Sequence, residues 1–223
     1  MIVGNLVIIG TSHIAKQSVK EIDAAFEDHT PAVVAIELDS GRLEGLLHPQ
    51  PHKVRLRDIR QLGVTGFLFS VIGAWAEKAL GGQVGTKPGA DMLHAIKLAQ
   101  RRKIPIALVD QDIRITLKRL SKGVTWREKG RFILDVVKGA LGGKKQLPFD
   151  LSTVPSQEVI DTLIKDVRKR YPNVYRVLVH ERNHGMARRL ADLSRRTTNG
   201  RVVAIVGAGH TREIAGIVRH HLG

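Results

Sequence analysis

The chain has no cysteine. Disulfides, thiolate metal ligands and thiol nucleophiles are thereby excluded, and any chemistry falls to His, Asp, Glu and hydroxyl groups. Aromatic residues are only 4% of the 223 positions, which leaves little surface for stacking bases and argues against a nucleic-acid partner. Acidic residues number 21 against 36 basic ones, for a formal net charge of +15. Long apolar runs are also missing. Gln61 to Ala76 is uncharged and carries Phe67, Phe69 and Trp75, but it is shorter than the roughly 20 residues that span a bilayer. It is read as a buried helix or a homo-oligomer contact, with a membrane-surface contact as the alternative. Polar and charged residues interrupt the N-terminus from Lys16 onward, so no secretion signal is inferred. The expected location is cytoplasmic, with a position peripheral to a membrane as the alternative.

What is present is a paired pattern. Leu6-Val-Ile-Ile9 runs into Gly10-Thr-Ser-His13, and Val202-Val-Ala-Ile-Val206 runs into Gly207-Ala-Gly-His210. An unbroken Val/Ile run suits a parallel strand buried on both faces, and ligands of open parallel sheets bind beyond the carboxyl ends of the strands. Strands are expected at about 6–9, 32–37, 104–109 and 202–206. Helices are expected near 15–28, 53–80, 89–103, 112–121, 126–141, 155–196 (broken at Pro172) and 211–221. This order implies an α/β fold, a mainly parallel sheet flanked by helices, with a helical subdomain at about 111–200 inserted before the last strand. Length and composition fit one domain, 1–223. Part of the positive charge is local: from Arg114 to Lys145 ten basic residues face two acidic ones, a net of +8. Such a stretch is a solvated helical face or a patch for acidic substrates and anionic membrane surfaces.

Four candidate strands deliver polar residues to one end of the sheet: His13, Glu37, Asp110 with Asp112 beyond it, and His210. A carboxylate on a buried strand end costs desolvation unless it is paired. A divalent metal held by two imidazoles and one or two carboxylates supplies that pairing, and mixed N/O ligation points to Mn, Zn or Co. The competing reading has Glu37 and Asp110 capping helices or pairing with arginines such as Arg42 and Arg114. Gly207-Ala-Gly is not a dinucleotide turn, because no later strand with an acidic residue follows it. Glu181-Arg182-Asn183 lies in a helical stretch where Val174, Val177 and Leu178 place Glu181 on the apolar stripe. A buried glutamate there would serve as a general base, and Arg182 would stabilise an oxyanion or pair on the helix surface. His184 completes a Glu-x-x-His spacing with Glu181.

Ile9-Gly-Thr-Ser-His13-Ile-Ala, Pro31 to Arg42, Gly89-Ala-Asp-Met92, Val109-Asp-Gln-Asp-Ile113, Glu181-Arg-Asn183 with Met186, and Ile205 to His210 resemble, in order, the TraB (pheromone-shutdown) family. The chain departs from that pattern at Asp91, where Glu is expected, and at Gln111, where Arg is expected. The family is similar to the erythromycin-esterase-like superfamily and to the Tiki-type metalloproteases. The resemblance implies a divalent-metal hydrolase or peptidase using His13, Glu37, Glu181 and His210 on a peptide or small-molecule substrate. Glu181, Arg182 and Asn183 then form the catalytic group, with Asp110 as a further ligand or a partner orienting a histidine. The alternatives are a peptide-binding or signal-regulating protein that uses the same crevice without turnover, and a binder of anionic surfaces.

Overall fold

The computed structural model describes residues 1–11, 16–48, 89–141 and 156–223. His13, the segment 61–76 and the helix expected over 53–80 lie outside the described residues. Five strands form one sheet: β1 (Ile2–Val3), β2 (Leu6–Thr11), β3 (Pro31–Ile36), β4 (Ile106–Leu108) and β5 (Arg201–Gly207), in the spatial order β1-β2-β5-β3-β4. All neighbours run parallel except β1, which turns back on β2 through Gly4 in the left-handed region. The helices are α1 (Lys16–His29), α2 (Ser40–Leu47), α3 (Ala90–Arg101), α4 (Ile113–Gly123), α5 (Trp126–Leu141), α6 (Gln157–Arg170), α7 (Pro172–Tyr175), α8 (Glu181–Arg196) and α9 (Thr211–Leu222). The chain is thus α/β. Among the described residues only helices lie between β4 and β5.

β5 sits at the centre, and its side chains alternate between two cores. Val202, Ala204 and Val206 pack against Met186 and Leu190 of α8 and Ile214 and Val218 of α9. Val203 and Ile205 pack against Ile22 and Phe26 of α1 and Met92 and Ile96 of α3. Each large apolar side chain so buried contributes about 1.5–3 kcal/mol. This two-sided burial is why the strand reads as an unbroken apolar run rather than an alternating one. β4 is shorter than expected. Pro105 has no N–H for the ladder, although Val109 N still donates to Ile36 O at 3.0 Å and Asp110 N to Leu38 O at 3.3 Å. The two-residue β1 and helix α2 were not anticipated. Asp39 caps α2 by accepting from Gly41 N and Arg42 N.

One local irregularity matters for everything above the sheet. Arg176–His180 is a π turn joining α7 to α8, and a π turn holds extra residues relative to an α-helix. The buried stripe therefore slips out of phase. Extending Val174, Val177 and Leu178 at α spacing reaches Glu181, but the buried face of α8 is Asn183, Met186, Ala187, Leu190, Ala191 and Ser194. Glu181 is half-exposed, its side chain 28% accessible, and the expectation that it sits on the core stripe is corrected accordingly.

The Gly10 end of β2 is held close to the turn after β5. A Cβ on Gly10 would stand 2.7 Å from Thr211 Cγ2 and 3.1 Å from the Cα of Ala208. Gly10→Ala is expected to destabilise the fold by about 1–3 kcal/mol, because backbone must give way. Urea unfolding checks this, and a neutral substitution would show that the turn is loosely packed.

Candidate functional site

The parallel register brings the ends of β2, β5, β3 and β4 to one edge of the sheet. Thr11 pairs with Gly207, Ile9 and Ile36 both pair with Ile205, and Ile36 also pairs with Leu108. Glu37 follows β3 directly. Its N–H donates to Ile205 O at 3.1 Å, and its Oε2 accepts from Gly207 N at 2.6 Å, so the carboxylate is fastened to the end of β5. Asp110 follows β4 and accepts from Gln111 N at 2.8 Å. His210 closes the turn after β5, its N–H donating to Gly207 O at 2.8 Å, while Ala208 N donates to Thr11 O at 2.8 Å.

Arg182 joins these groups. Nη2 donates to Glu37 Oε1 at 2.5 Å and to Asp110 Oδ2 at 2.6 Å, and Nε donates to Asp110 Oδ1 at 3.2 Å. Nη1 donates to Leu178 O at 3.1 Å and lies 3.5 Å from His210 Nε2. All five N–H directions of the guanidinium are taken. Arg42, held by Asp39 at 2.7 Å, pairs with Asp110 from the other side. Three carboxylates thus face two guanidiniums in a nearly closed space. Burial alone would push the Asp110 carboxyl up, but the hydrogen bonds and charge of Arg182, and then of Arg42, hold it below the usual carboxylate range.

The imidazole of His210 is oriented by a second chain of contacts. Asn183, fully buried on α8, donates from Nδ2 to Glu213 Oε2 at 2.8 Å, which leaves its Oδ1 facing His210 Nδ1 at 2.5 Å. A carboxylate only accepts, so Asn183 must present its oxygen to the ring and Nδ1 must carry the proton. Nε2 stands 3.4 Å from Glu37 Oε1 and 3.5 Å from Arg182 Nη1. The Arg182 guanidinium supplies positive charge beside both atoms.

The sequence-derived residues therefore separate into groups. Glu37, Asp110, Arg182, Asn183 and His210 come together. Asp112 does not join them: it caps α4 and pairs with Arg114, which corrects its reading as a site residue. Glu181 points instead to Arg119 at 3.0 Å and Arg176 at 3.7 Å, in a cavity of about 460 Å³ that Lys122, Gly123 and Val177 also line. Glu213 was missed, although it sits in the first turn of the helix that follows the Gly-x-x-His motif, three residues past His210.

Residues 4–221 match the profile of the TraB/PrgY/gumN family. The chain belongs to that family. It is 35% identical over 219 residues to the uncharacterized protein MJ1365 of Methanocaldococcus jannaschii, covering 97% of this chain and 53% of that protein. The TraB domain-containing proteins of Homo sapiens and Bos taurus are 22% and 23% identical over 235 residues, covering 91% of this chain and 60% and 59% of theirs. The chain thus spans between half and three-fifths of the length of these curated relatives.

Proposed function

We propose that this TraB-family crevice is the site of a divalent-metal-dependent hydrolase with peptidase-like action. The observation that carries the reading is the facing pair Glu37 Oε1 and His210 Nε2, 3.4 Å apart, with the other ring nitrogen of His210 held by Asn183 Oδ1. That separation fits two neighbouring ligands of one tetrahedral ion with bonds of about 2.0–2.2 Å. The residues present fit such a group, and the negative balance of the cluster favours a cation. Glu37 and His210 would hold it together with His13, the further ligand that the family resemblance implies. Asp110 is the less direct candidate, since two arginines engage its oxygens; at Glu37 the ion would have to share or displace the single contact of Arg182 with Oε1.

Bound there, a Mn, Zn or Co ion would supply a water acidified toward neutral pH. The chain's own residues have separate tasks. Arg182, its donors fully used, is a positioning residue that holds Glu37 and Asp110 rather than an oxyanion. Asn183 orients His210. Glu181 is paired with Arg119 and Arg176 on the rim, so the proton-accepting role that the family resemblance implies for it would require its carboxylate to turn from these arginines toward the crevice. The basic helices α4 and α5 would draw acidic substrates toward the rim.

The test combines metal content with cleavage of a peptide library. His210→Ala and Glu37→Gln are each expected to lower bound metal and hydrolysis together. Glu181→Gln is expected to keep the metal and lose about 100-fold or more in rate. Wild-type protein that holds metal and binds peptides without cleaving them would instead favour the non-catalytic, signal-regulating reading. An active Glu181→Gln enzyme would remove that residue from the mechanism.

A further inference from the structure

A second cluster of metal-ligating side chains stands on the outer side of Asn183. His180, the last residue of the π turn, His184, one turn into α8, and Glu213 of α9 place one ligand atom each within 4.8 Å of one another. His180 Nδ1 lies 3.0 Å from Glu213 Oε1, and the two imidazole rings stand edge to face with centroids 4.5 Å apart. His180 and Glu213 are 49% and 31% accessible, so an ion could enter from solvent.

The cluster is built in advance on two sides. The i, i+4 spacing of the histidines puts both rings on one helix face, as in helical metal chelates. The carboxylate of Glu213 is held from behind: Oε2 accepts from Asn183 Nδ2 at 2.8 Å and Tyr175 OH at 3.3 Å, which leaves Oε1 as the oxygen turned toward His180. The π turn contributes to this arrangement. It rotates α8 so that Asn183 goes inward and His184 outward, and π turns recur at functional positions.

We propose that His180, His184 and Glu213 form a metal site of their own, distinct from the Glu37–His210 crevice and taking a divalent transition-metal ion such as Zn²⁺. Two neutral imidazoles and one carboxylate suit Zn²⁺ or Co²⁺ and not Mg²⁺ or Ca²⁺, and three protein ligands leave a position for water. The site clamps α8 to α9. It also shares Glu213 with the chain that runs through Asn183 to His210, so an ion on the rim and the orientation of His210 are connected by two hydrogen bonds.

The experiment uses the full chain, stripped with a chelator and titrated with Zn²⁺ by calorimetry. Binding is followed in parallel from the imidazole NMR signals of His180 and His184. Wild-type protein is expected to bind Zn²⁺ with micromolar affinity or tighter and to shift both signals. His184→Ala is expected to weaken this binding by about tenfold or more. The double variant His180→Ala with His184→Ala should bind one ion fewer than wild type, whereas His210→Ala should retain the rim ion. Both rim histidines are exposed, so circular dichroism should show a native fold in these variants. The proposal is overturned if the double variant binds Zn²⁺ with wild-type affinity and stoichiometry, if the rim signals do not move, or if wild-type protein binds only at millimolar concentration. The rim variants leave the crevice ligands intact, so their results test the rim alone, whereas wild-type binding only at millimolar concentration would count against both sites.

Discussion

Arg182→Met is expected to cost the fold about 3–5 kcal/mol, because it leaves the buried Glu37 without its arginine and Asp110 with Arg42 alone. The Arg182 side chain is 14% accessible, and those of Glu37 and Asp110 are 4% and 2% accessible. For a chain of this length the melting temperature should fall by about 6–20 °C. Lysine at 182 should restore only part of this, since a single ammonium cannot reproduce the fork that binds Glu37 and both oxygens of Asp110.

The pH dependence provides a second check. In the wild type the Asp110 carboxyl is held below its usual value, so its pairing stabilises the fold above the unfolded-state pKa of about 4. That contribution is lost as pH falls through the depressed native value. In Arg182→Met the main opposing cation is gone and burial pushes the group upward instead. The difference between the two proteins should therefore shrink as pH falls through the interval between the raised value in the variant and the depressed value in wild type. Urea unfolding at a series of pH values measures it, and a loss under about 1 kcal/mol at neutral pH would mean that water solvates these carboxylates after all.

Asn183→Leu should have the largest effect that leaves the charges of the crevice in place. Leucine fits the volume but neither accepts from His210 Nδ1 nor donates to Glu213, so each loses one hydrogen bond, although Glu213 Oε2 keeps Tyr175 OH. The stability cost is expected to be about 1–3 kcal/mol. Metal affinity or hydrolysis should fall about 10–100-fold, as when an orienting partner of a histidine ligand is removed. A role in packing alone would change stability without touching the histidine. The deciding measurement is thus the ¹⁵N spectrum of His210: the Nδ1–H tautomer should dominate in wild type and lose its preference in Asn183→Leu. An unchanged tautomer would show that Asn183 does not orient the ring.

Much of this architecture is legible in the chain itself, for a local reason. A strand covered on both faces must be apolar at every position, so Val202 to Val206 announces its place at the centre of a parallel sheet before any contact is known. The residues that end such strands must then meet at one edge, and Glu37, Asp110 and His210 do. Helix α2 was equally local in origin, with Asp39 before Ser-Gly-Arg as its cap, but its eight residues carry too short an apolar pattern to stand out. β1 is shorter still, and it exists because β2 offers it an edge.

Other features have no local signature. The partners of Arg182 lie 72 and 145 positions away, and nothing near residue 182 indicates that its charge will be enclosed by carboxylates from two strand ends. The phase of α8 is the clearest case. Apolar spacing carried forward from Val174 selects Glu181 for the interior, and a single π turn passes that place to Arg182 and Asn183. Glu213 likewise becomes part of the site only because α8 and α9 pack side by side on the sheet. The sequence by itself determined the α/β class, the central strands and the chemistry available at their ends, because burial on both faces writes itself into consecutive residues. Which side chains face one another there was decided by the tertiary structure, because hydrogen-bond geometry depends on helix phase and packing that no short segment encodes.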